Sequence, residues 1–527
     1  MDVNRAIIDK IISNEFINNK DLTKIKIWAC REFNLKKFPR NSEILSAATD
    51  KEKEKLIHLL KLKPIRSVSG VYIITVMPKP FPCPKDEPCI YCPGGPGYGT
   101  PQSYTGCEPA GRRALENNFD PYKQVKTRIE QFKIMGHDVD KIELIIFGGT
   151  ITAYPRDYLE WFVTQCLNAI SQSNAKNIVE AQISAENAVI KNSDITIETR
   201  PDYCKKPHID LMLLLGTTRI EIGVQTIYND IYKKINRGHT IEDVVDATRL
   251  AKDSGFAVIY HMMPGLPGVS FEEDLEAFIK IFNDQRFKPD AIKIYPTLVL
   301  PKTKLYDLWK KGEYSPYSLE KYIDLISEIK KQVPRWMRIQ RIQRDIPSNL
   351  IAAGVKRGDL RLLIQGKLKK ENKKCQCIRC REIGHIQYKS RYESFSSDIK
   401  LLTTKYNASD AEEIFLSFED IKQDVLIGLL RLRKPSDKAH RSELKNEKSM
   451  LIRELHVYGP TVKVGKKAIE NQWQHRGWGE RLIKEAEKIS KDEFDAKKIV
   501  ILAGIGTRNY YKRFGYAKQG PYMTKKI

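Results

Sequence analysis

The stretch CPKDEPCIYCPGGPGYGTPQSYTG, residues 83–106, places three cysteines in one short loop, with glycines and prolines after them. A disulfide takes two thiols, and a closed zinc site usually takes four ligands. Three thiolates can instead hold three corners of a 4Fe-4S cluster and leave one iron without a protein ligand. Because an open metal position is typical of catalytic sites, Cys83, Cys89 and Cys92 are candidate ligands of a reactive iron–sulfur centre.

Alternating strand-like and helical segments surround this loop. Helical stretches such as TIEDVVDATRLAKDSG lie between most of the strand-like runs. Those runs are VYIITVM (71–77), IELIIFG (142–148), ITIET (195–199), RIEIGV (219–224), FAVIYHMM (256–263) and AIKIYP (291–296). Repeated β and α units predict a parallel sheet, closed or partly closed as a barrel, over residues 70–365. In such barrels the chemistry lies at the carboxyl ends of the strands, and the cysteine loop follows the first strand.

The run FGGT (147–150) ends the second predicted strand. Glycines let a backbone approach a ligand closely, so Gly148, Gly149 and Thr150 are candidates for binding the amino group of S-adenosylmethionine. That cofactor chelates the open iron in radical enzymes. Taken alone, FGGT is more typical of a strand-end turn. The gaps of five and two residues between the cysteines also differ from the common three and two, so spacing alone leaves a structural zinc site open.

The chain carries a strong excess of positive charge. Its 527 residues give a formal net charge of +24 and a pI near 9.4. Self-repulsion of this size favours a polyanionic partner, with nucleic acid first, and a generally basic proteome is the alternative. We find neither a signal peptide nor an apolar run near the ~18–20 residues of a membrane span, and therefore expect a cytoplasmic protein with no membrane partner.

Residues 1–69 are predicted to form a basic helical N-terminal region. NRAIIDKIISNEFI and KEKEKLIHLLKLKP place apolar residues at helical spacing, with basic residues on the polar face. We expect this face to bind RNA backbone, and a merely solvated face is the alternative. The candidate RNA-binding residues are Lys24, Lys26, Arg31, Lys36 and Lys37.

A second basic segment, RWMRIQRIQRD (335–345), interleaves Arg335, Arg338 and Arg341 with Trp336 and apolar residues. Such a surface can hold phosphates and stack a splayed base, so these arginines are further RNA-binding candidates. In the alternative, a helix buries Trp336 and leaves only the arginines outside.

The segment CQCIRCREIGH (375–385) lies in a polar, basic connector over residues 366–387. Cys375, Cys377 and Cys380 have metal-ligand spacing, and His385 is placed to complete a tetrahedral structural zinc site. Residues 388–527 then show a third pattern, with the strand-like runs EEIFLSFED, VLIGLLRLR, MLIRELHVY and KIVILAG.

In that last region QHRGWGERLIKEAEKI (474–489) indicates a turn that opens a helix. Its Q-x-x-G-x-G pattern lies at Gln474, Gly477 and Gly479, where glycines free backbone N–H groups to bind a diphosphate. A lone glycine-rich turn is weak evidence. Together with the strands around it and the later NYYKRFGY, it resembles a Gcn5-related acetyltransferase (GNAT) domain of mixed α/β type.

From about residue 65 to its end, the chain closely resembles the Elongator catalytic subunit family. The resemblance rests on many motifs in the same order: CIYCPGGPGYGTPQSYTGCEPAGRRA, DVDKIELIIFGGT, IETRPDYC, INRGHT, YHMMPGLPG, AIKIYPTLVLPKT, QRIQRDIPSNLIAAG and GTRNYYKRFGYAKQGPYM. The family has the longer cysteine loop, which favours the cluster over zinc at Cys83, Cys89 and Cys92. Cys107 stands where other members carry tyrosine and is not taken as a ligand.

The resemblance implies a partial TIM-like radical SAM barrel followed by the GNAT domain, with residue roles in each. S-adenosylmethionine is expected on FGGT and near Glu198, Arg200 and Gln225. Acetyl-CoA is expected to contact Lys141 from the barrel, Gly477, Trp478 and Gly479 through its pyrophosphate, and Glu454, Leu455, His456 and Val457 along its arm. Tyr510, with Tyr511 beside it, is the catalytic candidate near the thioester. Core packing of the tyrosines and a solvated Lys141 are the alternatives.

The expected function is modification of the wobble uridine of tRNA at C5 to carboxymethyluridine. In the hypothesised mechanism, the radical from S-adenosylmethionine takes hydrogen from the acetyl methyl group of acetyl-CoA, the carbon radical adds to C5, and thioester hydrolysis leaves the carboxylate. The expected partners are a tRNA anticodon stem-loop and an external electron donor; a homodimer is compatible with the sequence, which leaves accessory Elongator-type subunits open. The alternatives are a protein lysine acetyltransferase with a structural cluster and a non-catalytic RNA-binding scaffold.

Overall fold

The computed structural model describes residues 2–14, 18–61, 70–390, 398–459 and 476–527. The helices are α1 (Val3–Ile12), α2 (Asn19–Glu32), α3 (Asn41–Ala47), α4 (Asp50–Leu60), α5 (Pro109–Glu116), α6 (Pro121–Ile134), α7 (Arg156–Ser171), α8 (Ile178–Asn187), α9 (Lys206–Leu214), α10 (Asn229–Lys234), α11 (Ile241–Asp253), α12 (Phe271–Asn283), α13 (Lys304–Lys310), α14 (Leu319–Gln332), α15 (Leu360–Lys370), α16 (Ile378–Arg381), α17 (Ile383–Ser390), α18 (Ser442–Lys445), α19 (Trp478–Phe494) and α20 (Arg508–Lys512).

The strands are β1 (Tyr72–Val76), β2 (Lys141–Ile146), β3 (Lys191–Thr199), β4 (Arg219–Gln225), β5 (Ala257–Met262), β6 (Ala291–Ile294), β7 (Arg338–Ile342), β8 (Ile399–Ala408), β9 (Ala411–Asp420), β10 (Val425–Arg433), β11 (Ser449–Val457), β12 (Lys498–Ile501), β13 (Ala517–Gln519) and β14 (Tyr522–Lys526). They form two seven-stranded sheets, so the predicted α/β class with a partial barrel and a second mixed domain is confirmed.

The first sheet is an open half-barrel whose strands follow chain order from β1 to β7, each parallel to its neighbour. Strands β5 and β6 are buried along their whole length, as expected for a parallel sheet covered by helices. Strand β7 lies in the segment for which the sequence suggested a basic surface or a helix. Its Ile339 and Ile342 are buried, while Arg338 and Arg341 are half-buried. This strand therefore carries two arginines next to its buried apolar residues.

The four N-terminal helices form a core of their own. Ile7, Ile8, Leu22, Leu45 and Leu60 are among its buried residues, which agrees with the apolar spacing in the sequence. Helix α2 begins with a capping box, in which the side chain of Asn18 accepts from the backbone of Asp21 and the Asp21 carboxylate accepts from the backbone of Asn18. This small helical unit contacts the barrel through α3 and α6.

The second sheet has the order β13-β14-β12-β11-β10-β9-β8 and is antiparallel except between β11 and β12. Those two strands pair only from Ser449 to Ile452 on β11, opposite Lys498 to Ile501 on β12. Strand β11 continues beyond the end of β12 to Val457 while it stays paired with β10. The sheet therefore opens between β11 and β12.

Buried charges join the two sheets. Asp290, directly before β6, accepts two hydrogen bonds of 2.8 Å from the guanidinium of Arg453 on β11. Arg453 also donates to Glu413 of β9 at 2.7 Å, and Lys252 of α11 lies 3.4 Å from Glu413. Burial raises the pKa of Glu413, but Arg453 and Lys252 outweigh it and lower the pKa to about 2. Because removal of one member leaves the others charged and buried, this network fixes how the sheets meet.

A glycine turn brings the backbones of the two domains together. A Cβ atom added at Gly504 would lie 1.7 Å from the carbonyl oxygen of Ser193 on β3. At Gly506 it would lie 2.6 Å from the backbone nitrogen of Asn192. Glycine is required at both positions because there is no space for a side chain between the domains.

None of the helices in the described ranges combines the length and the apolar composition that a membrane-spanning helix requires.

We expect Gly504→Ala to lower the free energy of unfolding by about 1–3 kcal/mol or more, because the methyl group must push β3 away from the second domain. Gly366→Ala is the matched control, since nothing lies within 4 Å of the added Cβ in α15. Alanine there should stabilise by about 0.5–1 kcal/mol. Equal unfolding midpoints of the two variants in denaturant would contradict this close approach.

Candidate active site

A cavity of about 730 Å³ runs through the half-barrel and reaches both sheets. At the carboxyl ends of the barrel strands it is lined by the cysteines Cys83, Cys89 and Cys92. At the amino ends it is lined by Glu454 and His456 of β11. A volume of this size is typical of cofactor and ligand sites, and here one space borders both of the predicted centres.

The cysteine loop is anchored to the barrel by its backbone. The N–H of Ile90 donates to the carbonyl of Ile235 at 3.1 Å, and the N–H of Leu305 donates to the carbonyl of Ile90 at 2.8 Å. The guanidinium of Arg237 donates to the Cys89 sulfur at 3.6 Å, and the Gln102 amide donates to the Cys92 sulfur at 3.2 Å. The loop is thus held at both of these sulfurs.

Positive charge surrounds the loop. Burial raises the pKa of the Cys89 thiol, but Arg237, Lys85 and Arg200 outweigh it, and the pKa lies below the usual value. Burial and the neighbouring Cys89 raise the pKa of Cys92. An environment that favours at least one thiolate fits the donor set of an iron–sulfur centre.

The FGGT turn is tied to Glu198. The Glu198 carboxylate accepts from the N–H groups of Gly148 and Gly149, at 3.3 and 3.2 Å, and from the Tyr104 hydroxyl at 2.7 Å. Gly149 has φ +83°, and a Cβ there would lie 3.0 Å from the carbonyl oxygen of Gln102. The cavity is lined by Gly149, Thr150, Glu198, Arg200 and Gln225, whereas Gly148 is not among the lining residues.

Three buried polar side chains that the sequence analysis missed form a hydrogen-bonded set at this cavity, and two of them, His261 and Lys293, line it. The Lys293 ammonium donates to both oxygens of Glu221, at 2.5 and 2.6 Å. The second of these oxygens lies 2.6 Å from Nε2 of His261, and Nδ1 of His261 lies 3.7 Å from Glu198. Burial raises the pKa of Glu221, but Lys293 and His261 lower it to about 2. The signal in the sequence was a polar, ionisable residue within each of the largely apolar runs RIEIGV, FAVIYHMM and AIKIYP.

Strand β11 separates the cavity from the start of helix α19. Glu454 and His456 face the cavity, whereas Leu455 lies on the side of Gly479. A Cβ added at Gly479 would lie 2.6 Å from the Tyr510 hydroxyl, and burial raises the pKa of Tyr510 to about 12. The glycine turn and Tyr510 therefore meet next to the cavity, one strand away from it. The residue Gln474 of the pattern lies outside the described residues.

Other predicted acetyl-CoA residues lie around this meeting point. Gly477 has φ +79° and caps helix α19, and Trp478 packs against Phe418 at a ring distance of 4.9 Å. Tyr511 is buried and packs edge-on against Tyr510. Lys141 begins β2 in register with Lys191, whose strand contacts the Gly504 turn. Lys141 is half-buried, and burial lowers its pKa.

The connector cysteines are gathered for a single metal ion, but without His385. The sulfurs of Cys375, Cys377 and Cys380 all lie within 4.8 Å of one another. The described ranges contain no other such group of three candidate ligands, so the loop cysteines are spread more widely. His385 does not join this group of ligands, and its Nε2 lies 2.9 Å from Glu382. A lysine, Lys330, approaches the Cys380 sulfur at 3.5 Å.

The predicted RNA-binding residues divide into three groups. Lys24, Arg31, Lys36 and Lys37 are exposed on the N-terminal helical unit. Lys26 does not belong to this exposed group. Its ammonium is buried and donates to the carbonyl of Pro39 at 2.8 Å and to the side chain of Asn41. The three arginines of the second basic segment do not form one outer surface.

Within that segment, Arg335 is ion-paired with Glu419 and Asp424 of the second domain. Arg338 and Arg341 line the cavity. Trp336 is buried and stacks on Tyr406 at 4.5 Å, so it belongs to the core and is not a platform for a base. Two of the three arginines therefore face the cavity, whereas Arg335 is exposed and paired with the second domain.

We expect Lys293→Met to destabilise the protein by about 3–5 kcal/mol, because it leaves Glu221 charged and buried. The double variant Lys293→Met/Glu221→Met should recover most of that loss. Since the pKa of Glu221 is lowered to about 2 in the fold and is about 4.3 when unfolded, the wild-type advantage is complete above about pH 4.5 and shrinks as the pH falls toward 2. A single variant as stable as wild type in urea at pH 7 would contradict this pairing.

The chain is similar to known proteins along almost its whole length. Three family models match the chain: the ELP3 N-terminal domain over residues 1–68, the Radical SAM superfamily over 83–281 and the Radical_SAM C-terminal domain over 289–370. The chain is 47% identical over 532 residues to the tRNA uridine(34) acetyltransferase of Methanocaldococcus infernus, covering 99% of each chain. It is 44% identical over 515 residues to Elongator complex protein 3 of Homo sapiens, covering 96% of this chain and 93% of the relative.

A solved structure of the archaeal Methanocaldococcus infernus Elp3 with an N-terminus deletion (1-46) has the same fold. Its TM-score is 0.77 at 45% identity, over 87% of this chain and 100% of that chain. Identity at this level over nearly the full length shows that the chain belongs to the family of tRNA uridine(34) acetyltransferases and Elongator complex protein 3.

Proposed function

We propose that this protein is a tRNA-modifying acyltransferase that forms carboxymethyluridine at C5 of the wobble uridine from acetyl-CoA and S-adenosylmethionine. One observation carries the proposal: a single cavity is bordered by the three-cysteine loop at one end and by strand β11 at the other. C5 of uracil is too weak a nucleophile to attack a thioester, so two activating centres in one space match the chemistry that the product requires. The name of the archaeal relative, tRNA uridine(34) acetyltransferase, supports uridine 34 of tRNA as the target and acyl transfer as the class of reaction.

Cys83, Cys89 and Cys92 would hold the 4Fe-4S cluster, and their side chains fit that group. The three sulfurs border the same cavity and lie near Arg200, Arg237 and Lys85, as a cluster of thiolates requires. When bound with S-adenosylmethionine, the cluster supplies the electron that generates an organic radical able to take hydrogen from the acetyl methyl group. An external electron donor is needed to reduce it.

The chain's own residues at this end position the cofactor. Gly149, Thr150 and Arg200 line the cavity beside the cysteines and would contact S-adenosylmethionine. Glu198 holds the glycine turn through two backbone N–H groups. His261 lies beside Glu198, and Lys293 is paired with Glu221, which also contacts His261. Gln225, with φ +75°, completes the wall at the end of β4.

At the other end, the opening between β11 and β12 supports a site for the acyl carrier. Glu454, Leu455, His456 and Val457 would line the pantetheine arm, as their segment extends past the last residue of β12. Gly477, Trp478 and Gly479 at the start of α19 would bind the pyrophosphate, where helix N–H groups favour negative charge. Tyr510 lies against Gly479 and is the candidate for assisting at the thioester, with Lys141 on the barrel side.

RNA would reach the cavity through its positive lining. Arg338, Arg341 and Arg344 border it, and exposed Lys24, Arg31, Lys36 and Lys37 extend the basic surface on the N-terminal helices. A base in folded RNA must be turned out before chemistry reaches it, which suits an anticodon-loop position. Cys375, Cys377 and Cys380 would hold a structural zinc ion beside the cavity, with a fourth ligand other than His385.

The reaction is tested with reconstituted protein, tRNA, acetyl-CoA, S-adenosylmethionine and a reductant. We expect carboxymethyl modification of the wobble uridine by mass spectrometry only when all components are present. Acetylated protein formed without S-adenosylmethionine, with unmodified tRNA, would favour a lysine acetyltransferase. RNA binding without any product would favour a scaffold, and either result would overturn the proposal.

The two cysteine sites should be separable by metal analysis. Cys89→Ser should lose most of the iron and the visible absorption of the cluster while keeping zinc, because one of three ligands is gone. Cys377→Ser should lose zinc and keep iron, and His385→Ala should keep both. Cys107→Ser is the matched control in the same stretch and should keep full iron; iron loss in this variant but not in Cys89→Ser would reverse the assignment.

A further inference from the structure

Arg379 lies at the β11 end of the cavity. It lies in α16 between two of the connector cysteines and lines the cavity with Glu382, His385 and Tyr458. Its side chain is half-buried. Among the residues described here, its guanidinium makes neither a hydrogen bond nor an ion pair.

The other arginines of the cavity are occupied. Arg219 lies 3.5 Å from both Asp194 and Glu454, and Arg341 is paired with Asp345. Arg200 is paired with Asp202 at 2.7 Å. These side chains are held in place by the protein, whereas Arg379 has its binding capacity left for a ligand.

Among the described residues, no carboxylate forms an ion pair with Arg379. Glu382, its one neighbouring carboxylate on the cavity wall, already accepts from Arg338 at 2.7 Å and lies 2.9 Å from His385. An arginine guanidinium stays charged at neutral pH, so a bound anion would stabilise it at this place.

The proposed function brings to this protein three ligands that carry anionic groups: a carboxylate in S-adenosylmethionine, phosphates in acetyl-CoA and phosphates in RNA. S-adenosylmethionine belongs to the cysteine end of the cavity. The diphosphate of acetyl-CoA belongs to the start of α19, and Gly477–Gly479 do not line the cavity. The RNA backbone remains, and a nucleotide turned out into the cavity brings its flanking phosphates with it.

Resting on the proposed function, we infer that Arg379 binds a backbone phosphate that flanks the target uridine and so holds the extruded nucleotide at the β11 end of the cavity. The planar guanidinium matches two phosphate oxygens at once, which fixes direction as well as charge. Arg338 stands beside it but is held by Glu382 and by the Tyr458 hydroxyl at 3.2 Å. Arg379 is therefore the arginine whose guanidinium is left to bind the RNA phosphate.

The test measures binding of an anticodon stem-loop RNA to the metal-loaded protein over a range of salt concentrations. For Arg379→Gln we expect about 10- to 100-fold weaker binding, as for a lost charge-assisted hydrogen bond. The slope of log K against log salt should become shallower by about 0.7, the value for one phosphate contact on a single strand. Arg156→Gln is the matched control, because Arg156 is exposed and paired with Glu160 on α7, and it should change neither quantity.

A second arm needs no variant. A methylphosphonate at one of the two phosphates flanking the target uridine should weaken binding to the wild-type protein by the same factor, and should weaken binding to Arg379→Gln no further. Arg379→Lys keeps the charge without the fork and should bind with intermediate affinity. Zinc content is measured in each variant, because Arg379 lies between two connector cysteines.

An unchanged salt slope for Arg379→Gln, or wild-type binding insensitive to both methylphosphonates, overturns the inference. Weaker binding of acetyl-CoA by Arg379→Gln with unchanged RNA binding also overturns it and assigns the arginine to a coenzyme phosphate. The proposed function fails separately, if the wild-type protein leaves the wobble uridine unmodified under conditions in which it binds the RNA.

Discussion

The pairing of Asp290 with Arg453 is the interaction on which the rest of the structure depends. Asp290 lies at the amino end of a barrel strand and Arg453 in the middle of β11, and both side chains are buried. Arg453 also pairs with Glu413 of its own sheet, and Asp290 lies 3.6 Å from Lys252 of the barrel. The direct pair between Asp290 and Arg453 forms only when the second sheet docks against this edge of the barrel. We interpret the network as selecting one docking geometry. A buried ion pair adds little to stability, but an arrangement that separates its two charges inside the protein costs a large free energy.

That docking geometry creates the site. The half-barrel is open, so its interior is a cavity and not a packed core, and β11 closes one end of it. The same strand faces the cavity with Glu454 and His456 and faces helix α19 with Leu455. A small rotation of the second sheet would move the opening between β11 and β12 away from the cavity. The Gly504 turn, which allows the backbones to touch, limits such a rotation.

The sequence predicted the secondary-structure elements more accurately than the tertiary contacts of individual side chains. Apolar runs and βα alternation gave six of the barrel strands, but β7 was missed because its arginines resemble a solvated surface when read without the sheet beside them. Lys26 was misjudged because a helical pattern of charges does not reveal that one ammonium bonds to a carbonyl 13 residues away. Sequence distance made His385 a plausible zinc ligand, whereas its ring is directed at Glu382.

The buried set of Glu221, His261 and Lys293 went unnoticed for a related reason. Each lies in a largely apolar strand, and only the parallel register places them side by side. The proposed function requires the acetyl group to meet the radical centre in this shared cavity. This can be measured with acetyl-CoA that has a fully deuterated methyl group, together with S-adenosylmethionine, reductant and tRNA. We expect deuterium in the 5′-deoxyadenosine produced and the remaining deuterium in the carboxymethyl group. Formation of 5′-deoxyadenosine without deuterium, while the uridine is being modified, would exclude hydrogen transfer from the acetyl group.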